Sequence, residues 1–94
     1  PVVTVSEPEG PTVVVPQEEA DALGLRYEFV AAWITLRIHS ALEAVGLTAA
    51  VAGRLAEHGI SCNVVAGFHH DHLFVASGDA DRAIAVLDEL AASA

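Results

Sequence analysis

His39 and Ser40 close one β-like run of this chain, Ser61 and Asn63 open another, and Asp71 lies within His69-His70-Asp71-His72 between that second run and a third. Imidazole, hydroxyl, amide and carboxylate groups together supply donors for a carboxylate and acceptors for an ammonium. That is the set needed to hold a zwitterion. Between the first two pairs, Val45-Gly46-Leu47-Thr48 reads as a turn into a helix. A helix start leaves backbone N–H groups without partners, so the amides of Leu47 and Thr48 are expected to face a carboxylate or phosphate, with Gly46 letting the backbone come close. Each feature also has a plainer explanation. Gly46 can serve the turn alone, the strand-end polar residues can be ordinary, and an aspartate in a tight turn needs no ligand.

The histidine run is the one cluster with metal-ligand side chains, but strand alternation puts His70 and His72 on one face and His69 on the other. No metal site is assigned. Cys62 stands in an apolar run with no cationic neighbour in sequence and reads as a small buried hydrophobe. A nucleophile elbow, a phosphate-cradling glycine loop followed by lysine, and a CxxC pair are all absent from the sequence. The chain is read as a non-enzyme with no cofactor.

The elements that position these groups follow from periodicity. Val2, Val3 and Val5, then residues 12–15, form two β-rich segments joined through Pro8 and Gly10, a hairpin. Pro16 opens a short acidic helix over 17–23 that stops at Gly24. Over 32–39, Ile34, Leu36 and Ile38 alternate with Trp33, Thr35 and Arg37, a strand covered on one side. Leu47, Val51 and Leu55 are spaced as one helix face over 47–58, ending at Gly59. Residues 60–68 and 73–76 form a second hairpin across the histidines, and Asp79 leads into a last helix that buries Ile84, Leu87 and Leu90. The order ββ(α)βαββα implies an α+β sandwich, an antiparallel sheet with helices on one face, preceded by a hairpin and short helix.

Composition narrows the partners. Thirteen acidic residues against four arginines and no lysine give a net charge of −9, which opposes nonspecific binding to nucleic acid or an anionic membrane. Although 53% of residues are apolar, no run approaches the roughly 20 needed to span a bilayer. One cysteine cannot form an internal disulfide, so a cytoplasmic location is expected. The chain opens on Pro1 and contains no methionine, as a part of something longer would.

The β-α-β-β-α order, Gly46, and Leu55-Ala56-Glu57-His58-Gly59-Ile60 leading into the next strand resemble the ACT domain family. The segments HSALEAVGLTAAV and HGISCNVVAGFHHDHLFV are most similar to bacterial tandem-ACT proteins related to cytosolic arginine sensors. The resemblance implies a ferredoxin-like fold that binds a free amino acid. It also implies ligand-binding roles for His39, for Ser61 where relatives carry asparagine, and for Asp71 where arginine-sensor relatives carry an aspartate before histidine. Residues 1–26 then resemble the end of a first ACT-like unit and 27–94 a second. Because the usual ACT order ends in a strand and this chain ends in a helix, residues 12–15 are expected to pair beside the strand that starts at Trp33.

The reading is a regulatory sensor of a free amino acid, polar or basic, acting as a homodimer or with a second ACT unit. Its ligand residues are His39, Ser40, Gly46, Leu47, Thr48, Ser61, Asn63 and Asp71. The alternative is a structural dimerisation module without ligand, pairing through a sheet edge or through the face that carries Trp33, Thr35 and Arg37.

Overall fold

The structure, a computed structural model, describes residues 1–37 and 41–92, with the side chains of 41–45 outside the description. It divides into two compact units, Pro1–Val30 and Ala31–Ala94.

In the first unit, β1 (Val3–Glu7) and β2 (Gly10–Val14) pair antiparallel, with Val3 opposite Val14 and Val5 opposite Thr12. Pro8 and Glu9 make the turn, and Gly10 follows it at φ +129°, a conformation that favours glycine. Helix α1 (Gln17–Ala22) starts after Pro16 with Glu18 and Glu19 in its first turn, where carboxylates oppose the positive helix end. It closes where the Leu25 amide reaches back to the Ala20 carbonyl across Gly24, which is left-handed at φ +68°. Tyr27 then ties the helix down, its hydroxyl donating to Asp21 at 2.7 Å and accepting from Gln17 at 3.1 Å. Ala20 is the one buried apolar residue of this unit, while Val5, Val13, Leu23, Leu25, Tyr27 and Phe29 stay exposed. A two-stranded ribbon with one short helix has too little surface to bury.

The second unit contains β3 (Ala31–Leu36), α2 (Ala41–Glu57), β4 (Cys62–Ala66), β5 (Asp71–Ala76), a 3-10 turn at Ser77–Asp79 and α3 (Ala80–Ala92). Its sheet has the order β3-β5-β4, antiparallel throughout, with β5 in the centre. The pairing register sorts the strands into rows. On one face lie Ala32–Val75–Cys62, Ile34–Leu73–Val64 and Leu36–Asp71–Ala66; on the other lie Trp33–Phe74–Asn63 and Thr35–His72–Val65. The first face meets Val51 and Leu55 of α2, Ile60, and Ala83 and Val86 of α3, and this is the core. Both helices therefore cover one side of an antiparallel sheet, the ferredoxin-like α+β arrangement.

Four sequence expectations need correction. Residues 12–15 do not extend the sheet beside Trp33: β2 pairs with β1, and among the described residues the second sheet holds three strands. Helix α2 begins at Ala41, not at Leu47, because Ala41-Leu42-Glu43-Ala44 are strong helix formers that carry the helix through Gly46 at a cost of about 1 kcal/mol. The hairpin turn is Gly67 to His70, closed by the Gly67 amide on the His70 carbonyl at 2.9 Å, so Asp71 and His72 belong to β5. On α3 the buried positions are Ala83 and Val86, with Leu87 and Leu90 partly covered, whereas Ile84 is 44% exposed. The buried stripe follows i, i+3, i+4, i+7 from Ala83, and Ile84 lies beside it.

Gly59 ends α2 at φ +72°, and the Ile60 amide then reaches the Leu55 carbonyl at 2.9 Å while its side chain enters the core. A Cβ at Gly59 would meet no atom within 4 Å, so only backbone strain opposes it. Gly59→Ala is expected to lose about 1–2 kcal/mol in urea unfolding at an unchanged slope.

Candidate functional site

At the end of the sheet where β3 and β4 finish and β5 begins, Asp71 is the one polar member of the core-side rows, set between Leu36 and Ala66. The residue is half-buried. The Thr48 hydroxyl, on α2, donates to Asp71 Oδ2 at 3.4 Å, a long bond that leaves most of the carboxylate's acceptor capacity unused. Among the described residues the one ion pair is Arg82–Asp79, at the opposite end of the unit, so no cation neutralises Asp71.

The expected site residues separate into three groups. Thr48 and Asp71 come together. Gly46 and Leu47 lie on α2 beside them, but their amides fall inside the helix's own hydrogen-bond ladder; the open amides of a helix start belong to the first turn, from Ala41. Leu47 packs against the core. Ser61 and Asn63 lie elsewhere. Strands β3 and β4 run parallel to each other on either side of β5, so the start of β4 lies at the far end of the sheet from the end of β3. Asn63 also belongs to the row Trp33–Phe74–Asn63, on the face away from Asp71. His39 and Ser40, in the segment that joins β3 to α2, lie outside the described residues.

The histidine run does not converge. Phe68 is 97% exposed at the turn with the His69 ring edge-on to it, Asp71 points to the core side, and His72 to the other. The Trp33 indole N–H donates to His72 Nδ1 at 3.0 Å, and the Thr35 hydroxyl approaches the same nitrogen at 3.3 Å. Indole nitrogen only donates, so Nδ1 holds the lone pair and Nε2 the proton of a neutral ring. A metal on Nε2 would have to displace that proton as well. Among the described residues no group of three or more His, Cys, Asp or Glu could hold a metal ion.

Cys62 lies in the core-side row Ala32–Val75–Cys62, and burial pushes its thiol up from the ordinary value, opposed by a backbone hydrogen bond from Phe74. It stays a thiol and packs as a small apolar group. The cleft between α2 and α3, lined by His58, Ile60, Arg82, Ala85, Val86 and Glu89, encloses about 210 Å³. Its guanidinium is already committed: Arg82 donates to the His58 carbonyl at 2.6 Å and to Asp79 at 2.9 Å, capping α2 and tying it to α3. Among the described residues no helix is long and apolar enough to cross a membrane.

Residues 28–89 match the ACT domain family, from before β3 into the last turns of α3. The chain belongs to the ACT domain family. A second ACT domain match covers residues 1–32, the hairpin and short helix. ACT domains are regulatory, non-catalytic modules that generally bind amino acids and dimerise. Among solved structures, the chain is similar to a protein of unknown function from Vibrio cholerae, described as a possible transport protein. The identity is 53% and the TM-score 0.83, over 93% of this chain and 66% of that one. No curated protein matches.

Two features of the Asp71–Thr48 pair in this ACT domain are not legible in the sequence. The partnership of Thr48 with Asp71 needs the register of β5, and Asp71 looked like a turn residue because the histidines around it suggested a loop. The signal that marks it as a strand residue is Gly67, whose amide closes the turn two residues earlier than expected.

Proposed function

We propose that this ACT domain is a regulatory sensor of a free amino acid with a cationic group, bound at the end of the sheet where Asp71 and Thr48 meet. The observation that carries the reading is the half-buried Asp71 carboxylate, set in an apolar row, held by one weak hydroxyl bond and faced by no cation among the described residues. An ammonium or guanidinium placed there gains a charge-assisted hydrogen bond that water or a neutral side chain does not supply. His39 and Ser40, in the segment between β3 and α2, and the first-turn amides of α2 are the proposed receivers of the ligand carboxylate.

In this reading residues 1–26 are the end of a first ACT-like unit and 27–94 the second, the tandem arrangement of cytoplasmic proteins related to arginine sensors. The exposed valines of β1 and β2 and the ACT match over residues 1–32 support the first part. Binding regulates only if the ligand prefers one arrangement of the units over another, by contacts that differ between them.

Thermal unfolding against each of the twenty free amino acids tests the proposal. Selective stabilisation by arginine or lysine is expected, growing by about 1.4 kcal/mol for each tenfold rise in ligand above its Kd. Equal behaviour of all twenty in a folded sample would defeat it.

A further inference from the structure

On the side of the sheet away from the helices, the His72 ring is engaged at both of its nitrogens. The Trp33 indole N–H donates to Nδ1 at 3.0 Å and the Thr35 hydroxyl approaches the same atom at 3.3 Å. The backbone of Gly67 lies so near that a Cβ there would come within 3.2 Å of Nε2. One lone pair on Nδ1 accepts one strong bond, and the indole, the closer donor, takes it. Trp33 is 53% exposed, with its ring stacked on Phe74 at 6.3 Å between centroids, so the bond to His72 sets the orientation of a large aromatic side chain that faces solvent.

The two partners of Nδ1 differ in what they can do. An indole N–H only donates, whereas a hydroxyl donates and accepts. When the ring takes a proton from solvent at Nδ1, the lone pair is lost, two N–H groups point at each other and the indole bond breaks. Thr35 can instead turn its own proton away and accept from Nδ1–H. Imidazole is the side chain that ordinarily makes this change between about pH 8 and pH 5. We infer that His72 is a proton-operated catch on Trp33: the neutral ring holds the indole, and the charged ring releases it and bonds Thr35. Release frees the exposed indole to turn and puts a positive charge into two rows, Trp33–Phe74–Asn63 and Thr35–His72–Val65, that hold no carboxylate and no arginine. The face thus offers a different surface above and below the transition. Asp71 points to the opposite side, so the catch does not rest on the ligand reading.

Few charges compete at the ring. From β3, Trp33 and Thr35 lie on its side of the sheet, with Arg37 one residue beyond the strand; β4 supplies Asn63, Val65 and then the Gly67 backbone; on its own strand it has Phe74 and, just before β5, His70. The helices cover the other face. Of these residues Arg37 is charged and His70 can gain a charge, both positive, so neither favours a charged His72. The Thr35 oxygen is the group placed to receive its proton.

The test follows, by NMR from about pH 8.5 to pH 5, the indole N–H of Trp33, the single tryptophan, beside the ring C–H signals of His72. Both should move with one midpoint, and the indole N–H should exchange with water about tenfold faster at the acid end. Trp33→Phe removes the bond made by the neutral ring and should raise the His72 midpoint; Thr35→Val removes the bond made by the charged ring and should lower it, each by about 0.5 or more in pH. His72→Gln, whose amide oxygen can accept from the indole at every pH, should leave the indole signal flat, while His70→Gln keeps the original response. An indole signal that does not follow His72, midpoints unmoved by both substitutions, or a response that survives His72→Gln would each overturn the inference.

Discussion

Leu73→Ala is expected to lower the stability of the β3-to-α3 unit by about 3–4 kcal/mol, the upper part of the range for removing a buried leucine side chain. Leu73 sits in the middle of the central strand, 1% exposed, between Ile34 and Val64, in the same cluster as the fully buried Leu55 and Val75. Neighbours on both sides are held by the sheet ladder, so the space left by three lost carbons cannot collapse easily, and cavity cost adds to lost transfer energy. A unit of this size carries only about 3–10 kcal/mol in total. The variant therefore loses from about a third of that stability to nearly all of it. Ile84→Ala makes the contrast, because a side chain 44% exposed and beside the buried stripe of α3 should cost well under half as much. Urea unfolding of both variants at matched slopes is the measurement. A Leu73→Ala loss below about 1 kcal/mol would show that the core is looser than its burial indicates.

Asp71→Asn separates a binding role from a structural one by the sign of its two effects. The substitution keeps the shape and the bond from Thr48 but removes the charge, so a cationic amino acid should lose about 1.5–3 kcal/mol of binding, roughly tenfold to over a hundredfold in affinity. Unliganded stability should stay level or rise, because a half-buried carboxylate without a counter-ion is itself unfavourable. Were Asp71 there to hold β5 against α2, stability would fall and affinity would follow it down. Calorimetric titration beside chemical unfolding of the same samples distinguishes the cases. Asparagine that binds arginine as tightly as aspartate would remove Asp71 from the site.

What sequence could convey here tracks the range of the interactions involved. The alternation around Trp33, the apolar stripe of α2, the glycines that stop α1 and α2 and the element order are local signals, and all appear in the fold. The start of α2 is hidden in the sequence because one glycine reads as a boundary despite the four good helix formers Ala41 to Ala44 before it, although a single glycine costs less than the helix gains from packing Val51 and Leu55. Grouping Ser61 and Asn63 with the end of β3 requires β3 and β4 to be antiparallel neighbours, and they are not. Only the insertion of β5 between them, a pairing between residues far apart in the chain, reveals that the two strands run the same way. The same insertion carries Asp71 to the α2 side, where Thr48 can reach it. Which of the candidate residues meet is thus decided by register, which no local pattern contains.

The central place of β5 has a consequence for synthesis. Strand β3 pairs only with β5, through Ala31 with Ala76 and Leu36 with Asp71, and β4 also pairs only with β5 among the described residues. Both flanking strands are made before β5, so each waits without a partner until residues 71–76 follow. The uncharged run Ala31-Ala32-Trp33-Ile34-Thr35-Leu36 is then bare on both edges, the kind of segment that associates with other chains. The sheet can close only after Ala76 has emerged, and the long loop that must shut at that moment makes this the slow step. Slower translation through α2 and β4 would lengthen that exposure without changing one atom of the finished protein.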